Sequence, residues 1–109
     1  MPSKVRITEH FKREFKRLSK KYTSLSDDMK ELVDSLKKNP VIGTPLGRDV
    51  YKIRLSIKSK NKGKSNGARV ITYLVDKNKI VYLISIYDKS EKVSISDIEI
   101  KSIIASTFG

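Results

Sequence analysis

Residues 68–87 read ARVITYLVDKNKIVYLISIY and contain two apolar runs rich in Val, Ile and Tyr. The first run covers Ala68 to Val75 and the second covers Ile80 to Tyr87, with a short polar turn between them. Nearly continuous apolar runs of this kind are typical of strands that are buried on both faces. We therefore expect the two runs to pair as a buried antiparallel hairpin that forms the centre of a sheet.

A further strand is predicted before this hairpin, from Val50 to Lys58. Its residues alternate between apolar and polar, which is the period of a strand with one buried face. The apolar set consists of Tyr51, Ile53, Leu55 and Ile57, and the polar set of Lys52, Arg54, Ser56 and Lys58. The basic side chains of this strand should therefore stand together on one face of the sheet.

A lysine-rich segment connects that strand to the central hairpin. Among Ser, Asn and Gly residues too polar to pack, every second position is a lysine: Lys58, Lys60, Lys62 and Lys64. We expect the segment from Ser59 to Asn66 to be mobile and to bind RNA by closing on its phosphate backbone. The competing interpretation is a linker whose charge only confers solubility. No carboxylate occurs between Val50 and Val75, so this region should carry a positive potential.

Two helices are predicted near the N-terminus, after a short strand from Lys4 to Ile7. Thr8 should cap the first helix, whose apolar stripe is Phe11, Phe15, Leu18 and Tyr22. Ser24 or Ser26 should begin the second helix, and Asn39-Pro40 should end it. Its apolar stripe is Leu25, Met29, Leu32, Val33 and Leu36. The short connection between the two helices predicts an antiparallel helical hairpin.

The remaining segments complete the predicted architecture. Residues 39–49, NPVIGTPLGRD, should form a loop, and a capping box of Ser96 and Glu99 should begin a last helix from Asp97 to Ser106. The order β-α-α-β-β-β-α predicts an α+β fold with a small, mainly antiparallel twisted sheet, an N-terminal helical hairpin and a C-terminal helix. With 109 residues the chain should form a single domain, residues 1–109.

Composition narrows the class of partner. Lys and Arg number 24 against 12 Asp and Glu, and a net charge of +12 attracts phosphate polymers, anionic lipid or a strongly acidic protein. There is no cysteine, which excludes disulfides and thiolate metal sites. No apolar run approaches the length of about 20 residues that spans a bilayer, so we expect a soluble cytoplasmic protein without a membrane partner.

Three motifs on the predicted strands carry a family resemblance. They are YKIRL at residues 51–55, GARVITYLVD at 67–76 and LISIYDKSE at 83–91. Together with the element order they resemble the RelE/ParE superfamily of bacterial toxins, and within it the RelE/HigB branch of mRNA interferases. The resemblance implies a RelE-like α+β toxin with a concave basic sheet face. It also implies a cognate antitoxin, acidic or of the helix-turn-helix type, that wraps around the toxin.

The resemblance also implies a function. RelE-like toxins of type II toxin–antitoxin systems cleave mRNA on the ribosome, whereas the ParE branch inhibits DNA gyrase, and fold alone does not decide between them. We expect a ribosome-dependent mRNA endonuclease whose partners are the ribosome and mRNA, with no metal or organic cofactor. The alternatives are a ParE-like gyrase inhibitor without catalysis and a non-catalytic basic module that binds RNA or the ribosome.

Individual roles follow from the same resemblance. Cutting RNA without a metal requires a base for the 2′-hydroxyl, cations for the phosphorane and an acid for the leaving 5′-oxygen. His10 is the only histidine, which excludes a two-histidine mechanism. By similarity of motif, Lys52 is the base, Arg54 and Arg69 hold the phosphate, and Lys89 is the acid. Crowding by the other cations is a recognised way to lower the pKa of a lysine, as a base requires.

Other assignments stay open from the sequence. Residues 94–109 lack the tyrosine that RelE-like enzymes often place near the C-terminus, so Tyr87 is a candidate for stacking on a base. Glu91 or Asp88 is a candidate for accepting the proton. The competing interpretations are solvent exposure for the cations of the YKIRL motif, an ion pair of Arg69 with Asp88, and core packing for Tyr87.

Overall fold

The computed structural model describes residues 3–60, 67–75 and 79–109. The helices are α1 (Glu9–Lys21), α2 (Leu25–Lys38) and α3 (Asp97–Phe108), and a short 3-10 turn covers Lys58–Lys60. The strands are β1 (Lys4–Ile7), β2 (Thr44–Gly47), β3 (Val50–Leu55), β4 (Ala68–Val75) and β5 (Ile80–Asp88). The predicted α+β fold is confirmed.

One strand, β2, lies where a loop was predicted. It pairs antiparallel with β3 at the edge of the sheet, and Pro45 lies within it. An edge strand tolerates proline, because one side of its backbone has no neighbour that needs an N–H donor. All residues of β2 are exposed, so the strand has no alternation of apolar and polar residues that would reveal it in the sequence.

The five strands form one mixed sheet in the order β1-β5-β4-β3-β2. β4 pairs antiparallel with both β3 and β5, as the central hairpin predicted, and β1 pairs parallel with β5. The residues predicted to turn between β4 and β5 lie mostly at 76–78, outside the described part of the chain. The prediction of a mainly antiparallel sheet is confirmed.

α1 and α3 begin at their predicted side-chain caps, whereas α2 begins after a serine whose side chain forms no cap hydrogen bond. The Thr8 hydroxyl accepts a hydrogen bond from the backbone N–H of Phe11 at 3.2 Å and begins α1. Ser24, rather than Ser26, precedes α2. The capping box of Ser96 and Glu99 begins α3, which continues two residues past the predicted Ser106. Its longer end is explained by the ring of Phe108, which packs against the rings of two tyrosines on the sheet.

The sheet separates two hydrophobic clusters. The cluster toward α1 and α2 includes Phe11, Leu18, Leu25, Leu36, Ile53, Leu55, Val70, Leu83 and Ile86. The cluster toward α3 consists of Val50, Ile71, Ile84, Tyr87, Ile100 and Ile103. Successive side chains of β3 point to opposite faces of the sheet. Ile53 and Leu55 therefore face the first cluster, whereas Lys52 and Arg54 face the side of α3.

An irregularity in β5 fastens α1 to the sheet. The register with β4 shifts so that Ile71 pairs with Ser85 and Thr72 with Leu83, which leaves Ile84 without a counterpart. The Glu14 carboxylate of α1 accepts hydrogen bonds from the Ser85 hydroxyl at 2.9 Å and from the backbone N–H of Ile86 at 3.1 Å. The helix thus satisfies a polar backbone group beside the irregularity.

The described residues contain neither a helix that could span a membrane nor a cluster of metal ligands. None of the helices there is long and apolar enough to cross a membrane. Within the same ranges, no three His, Cys, Asp or Glu side chains gather closely enough to hold a metal ion.

Candidate functional site

Three of the predicted site residues form a row across β3, β4 and β5, one residue from the end of each strand. Arg54 on β3 lies opposite Arg69 on β4, and Arg69 lies opposite Tyr87 on β5. Side chains directly opposite on neighbouring strands have Cβ atoms about 5 Å apart. We call Arg54, Arg69 and Tyr87 the cross-strand row. Lys52 lies two residues before Arg54 and therefore shares its face of the sheet.

The cations of this face differ in exposure. Arg54 is exposed and Lys52 is half-buried, and no carboxylate of the described residues forms an ion pair with either. The Arg69 side chain is only 5% exposed, and its Nη1 donates a hydrogen bond to the carbonyl oxygen of Ala68 at 3.2 Å. An anion approaching this face would therefore meet Lys52 and Arg54 first.

Tyr87 lies in the core beneath α3. It is 3% exposed and packs with Ile71 and Ile84 of the sheet and with Ile100 and Ile103 of α3. Burial raises the pKa of the Tyr87 hydroxyl, although the neighbouring Arg69 charge opposes the rise. The hydroxyl is therefore protonated at neutral pH, and the ring is covered rather than presented to a base.

Lys89 follows directly after β5, beside the start of β4. Its backbone N–H donates to the Gly67 carbonyl oxygen at 3.0 Å, which extends the β4–β5 pairing past the end of the strands. Its Nζ donates to the Val93 carbonyl oxygen at 2.6 Å. Lys89 thus lies two residues after Tyr87, just past the end of β5. Its ammonium group is held by a carbonyl oxygen of the segment that connects β5 to α3.

Glu91 does not join the row. Its carboxylate accepts a hydrogen bond from Arg17 of α1 at 3.1 Å and lies 3.6 Å from the Nζ of Lys21. The hydrogen bond from Arg17 lowers the pKa of Glu91 below its usual value. The structure therefore places this predicted proton acceptor against α1, where the lower pKa also makes it a weaker base.

The first two lysines of the lysine-rich segment contact carboxylates. The Nζ of Lys58 lies 2.8 Å from Glu31 of α2, in a pair exposed to solvent. The Nζ of Lys60 lies 2.6 Å from Asp88, in a pair whose carboxylate side chain is fully buried and whose lysine side chain is partly buried. Lys62 and Lys64, with the rest of residues 61–66, lie outside the described residues. The positive potential expected of this segment is thus partly neutralised by carboxylates distant in sequence.

Asp88 is a buried carboxylate with several donors. It accepts hydrogen bonds from the Lys60 ammonium at 2.6 Å, from the Ser90 backbone N–H at 2.9 Å, and from the hydroxyl of Tyr22. Burial by itself would raise the pKa of Asp88, but the hydrogen bonds from Lys60, Tyr22 and Ser90 outweigh it and hold the pKa well below its usual range. Sequence reasoning missed this cluster. The only sequence signal for it was that strand alternation places Asp88 on the same face as Ile86, toward α1.

Comparison with known proteins gives a consistent result. The family model described as "RelE toxin of RelE / RelB toxin-antitoxin system" matches residues 6–107. The free E. coli toxin RelE with two arginines mutated to alanine is 21% identical, with 85% of this chain and 90% of that chain covered and a TM-score of 0.62. The RelBE2 toxin–antitoxin complex of Mycobacterium tuberculosis gives 20% identity, 81% and 99% coverage, and a TM-score of 0.60. At these identities the solved structures show a shared fold.

Proposed function

This chain belongs to the RelE toxin family, and we propose that it is the toxin of a type II toxin–antitoxin pair and cleaves mRNA on the ribosome. The observation that carries the proposal is the placement of Lys52, Arg54 and Arg69 on one sheet face, brought together from two strands by the β3–β4 register. Adjacent cations on a rigid sheet suit a phosphate whose negative charge increases in the transition state.

In the proposed reaction the ribose 2′-hydroxyl attacks the neighbouring phosphorus. Lys52 accepts the hydroxyl proton, and the two arginines hold the phosphorane oxygens with their planar guanidinium groups. Lys89 gives a proton to the departing 5′-oxygen, which leaves a 2′,3′-cyclic phosphate on one product. Neither Glu91 nor Tyr87 is given a role in proton transfer, since Glu91 is paired with α1 and Tyr87 is covered by α3.

The proposed mechanism requires that the buried Arg69 become accessible to the phosphate. Arg54 is exposed, whereas Arg69 is 5% exposed. A scissile phosphate would thus bind first to Arg54 and Lys52, and neighbouring side chains would then have to move for Arg69 to reach it. Such tightening on substrate binding is common, and geometry without substrate does not rule a catalytic group out.

The proposed partner in the cell is an antitoxin, acidic or of the helix-turn-helix type, that covers the basic face. A protein of net charge +12 associates fastest with an acidic surface, at a rate that falls as salt screens the attraction. The proposal places both proteins in the cytoplasm, where the ribosome is the toxin's target.

The test is the Arg69→Lys variant, which keeps the charge but loses the bidentate guanidinium group. Cleavage of ribosome-bound mRNA should fall on the order of a hundredfold, the typical cost of one transition-state contact, while ribosome binding changes little. The matched control is Arg6→Lys, which replaces an exposed arginine on the edge strand β1. This control should cleave at the normal rate.

Two outcomes would contradict the proposal. A lower melting temperature with normal turnover per folded molecule would make Arg69 a structural residue. Intact transcripts together with DNA breaks after brief induction would identify a gyrase inhibitor instead, and intact transcripts with intact DNA would identify a non-catalytic RNA-binding module.

A further inference from the structure

A cavity of about 220 Å³ lies between α3 and the turn that joins β2 to β3. Its apolar walls come from the two strands on one side and from two successive turns of α3 on the other: Leu46, Val50, Ile100 and Ile104. Val50 and Ile100 are buried, whereas Leu46 is 37% exposed. The space, which we call the α3 cavity, therefore reaches from the core to the surface at the edge of the sheet.

The exposed residues that line the α3 cavity form its mouth, and their net charge is positive. They include the cations Arg48 and Lys101 and one carboxylate, Asp97. Within the described ranges, no carboxylate forms an ion pair with either cation. An apolar slot with such cations at its mouth suits a ligand that combines an apolar ring with an anionic group.

Arg48 occupies a backbone position that favours other residue types. Its φ is 54° and that of Asp49 is 65°, in the two-residue turn between β2 and β3. Turns of this kind favour Asn and Gly, because a larger side chain is crowded in the left-handed conformation. Folding therefore does not account for an arginine at this position, whereas a contact with a ligand at the mouth of the cavity does.

The α3 cavity adjoins the candidate catalytic face. Val50, Lys52 and Arg54 are alternate residues of β3, so their side chains lie on the same face of the sheet. At about 3.3 Å per residue, Val50 lies about 7 Å from Lys52 and about 13 Å from Arg54 along the strand. A short stretch of extended single-stranded RNA spans such a distance. When a phosphate binds at Arg54, a nearby nucleotide is thus within reach of the cavity.

The size and chemistry of the α3 cavity favour a nucleobase as its occupant. Sites for drug-sized ligands usually enclose about 300–1,000 Å³, which exceeds this space. An unstacked base is a smaller, planar ring, and proteins hold such bases between apolar or aromatic side chains. The phosphates beside a bound base would also meet the two cations at the mouth. An apolar side chain of a protein partner would fill the walls but would bring no anion to Arg48 and Lys101.

We propose that the α3 cavity binds one unpaired base of the substrate RNA, with Arg48 and Lys101 contacting the phosphates beside it. The inference rests on the proposed function, since this RNA is the strand whose scissile phosphate binds at Lys52 and Arg54. A base held at a fixed distance from those cations determines which phosphate reaches them. The cavity therefore contributes to the choice of the cleavage position.

The experiment compares two probes that cannot be cut because their 2′-hydroxyl groups are blocked. One is a short 2′-O-methyl RNA that contains all four bases, and the other is an abasic chain of the same length. Wild-type protein should bind the first probe on the order of tenfold more tightly, as expected for one stacked base. The Val50→Phe variant, whose larger ring fills the cavity, should bind both probes alike. An unchanged preference for the base-containing probe in this variant would overturn the inference.

Ile104→Phe fills the same cavity from α3 and covers the case in which Val50→Phe folds poorly, as judged by circular dichroism. Ile104 is only half-buried, so the added ring strains the core less. This variant should also lose the preference for the base-containing probe. A preference that survives in a folded Ile104→Phe variant would likewise overturn the inference.

Arg48→Asn tests the mouth of the cavity. Asn suits the turn, so the melting temperature should stay the same or rise. The slope of log K against log salt should shrink by about 0.7, the contribution of one phosphate contact in a single strand. The matched control is Lys79→Asn, which replaces an exposed cation whose φ is 53° and should keep the wild-type slope. A lower melting temperature with an unchanged slope, or equal changes of slope in both variants, would overturn the role of Arg48.

These measurements separate the cavity from the proposed function, because the probes cannot be cleaved. If mRNA on the ribosome stays intact but Val50→Phe abolishes the preference for bases, the proposed function fails and the cavity remains a base-binding site. If mRNA is cleaved and Val50→Phe keeps the wild-type preference, the cavity fails alone. If both hold, Val50→Phe should spread the cuts in ribosome-bound mRNA over neighbouring phosphates.

Discussion

Replacing Asp88 by Asn should destabilise the protein strongly. The Asp88 side chain is 0% exposed and accepts hydrogen bonds from Lys60, Ser90 and Tyr22. The substitution keeps the shape of the side chain but removes its negative charge. The Lys60 side chain is 11% exposed, so its ammonium group would then lie in a largely buried position without its counter-charge.

The size of the effect follows from the burial of the pair. Removing one partner of a buried ion pair costs about 3–5 kcal/mol, because the remaining charge stays desolvated. We expect a value near the lower end, about 3 kcal/mol, since the Asn oxygen still accepts one hydrogen bond. For a chain of this size that corresponds to a fall of about 12 °C in melting temperature. The exposed pair of Lys58 with Glu31 is the matched comparison, and Lys58→Met should leave the melting temperature nearly unchanged.

The pH dependence provides an independent check. The folded-state pKa of Asp88 is depressed, so its contribution is fully present above the unfolded pKa of about 3.9 and is lost as the pH falls below it. The Asn variant lacks this titration. The stability gap between wild type and variant should therefore narrow by about 1 kcal/mol between pH 7 and pH 3.

The assay is urea unfolding followed by circular dichroism at both pH values. It includes Lys60→Met and the double variant with Asp88→Asn, because removing both charges leaves no unpaired buried ion and should be less costly than the sum of the two single changes. A cost below about 1 kcal/mol for Asp88→Asn, or additive costs in the double variant, would refute the reasoning.

Two further changes test how the sheet is held. Glu14→Ala should cost about 2 kcal/mol by leaving the Ile86 N–H at the β5 irregularity without its acceptor, while Glu14→Gln keeps an acceptor and should cost less than half as much in urea unfolding. Gly67→Ala should cost more than about 2 kcal/mol, since overpacking of this kind strains the backbone; an added Cβ would lie 2.1 Å from the Leu55 carbonyl oxygen. At Gly47 the Cβ meets open space, so Gly47→Ala should cost only the strain of its positive φ, about 1 kcal/mol. Equal melting temperatures for the two glycine variants would contradict the packing argument.

Local periodicity was sufficient to predict most of the fold. The period of 3.6 in α1 and α2, the alternation in β3 and the two apolar runs of the hairpin each reflect burial of one or both faces of an element. β2 was not predicted, because its four residues are all exposed and show no alternation of apolar and polar side chains. The end of α3 was also not predictable from a local pattern. A contact of Phe108 with the sheet extends the helix, and helical periodicity does not reveal that contact.

In the candidate site, only the sheet face on which a strand residue lies was predictable from the sequence. Alternation along β3 placed Lys52 and Arg54 on one face, but ion pairs form between residues that are distant along the chain, and no local pattern reveals them. The pairs of Lys60 with Asp88 and of Arg17 with Glu91 join residues separated by 28 and 74 positions. For that reason the sequence led to a role in RNA binding for Lys60 and in proton transfer for Glu91.

The parallel pairing of β1 with β5 has a consequence for synthesis of the protein. Lys4 pairs with Ile80, far later in the sequence, and the Ala68–Asp88 pairing joins β4 to the same strand, β5. Chains emerge at roughly 5–20 residues per second, so β1 and α1 wait several seconds for the strand that holds them. Contacts of such sequence separation also close slowly. The sheet can be completed only after β5 has been translated, and a product truncated before β5 would lack the strand against which both β1 and α1 are anchored.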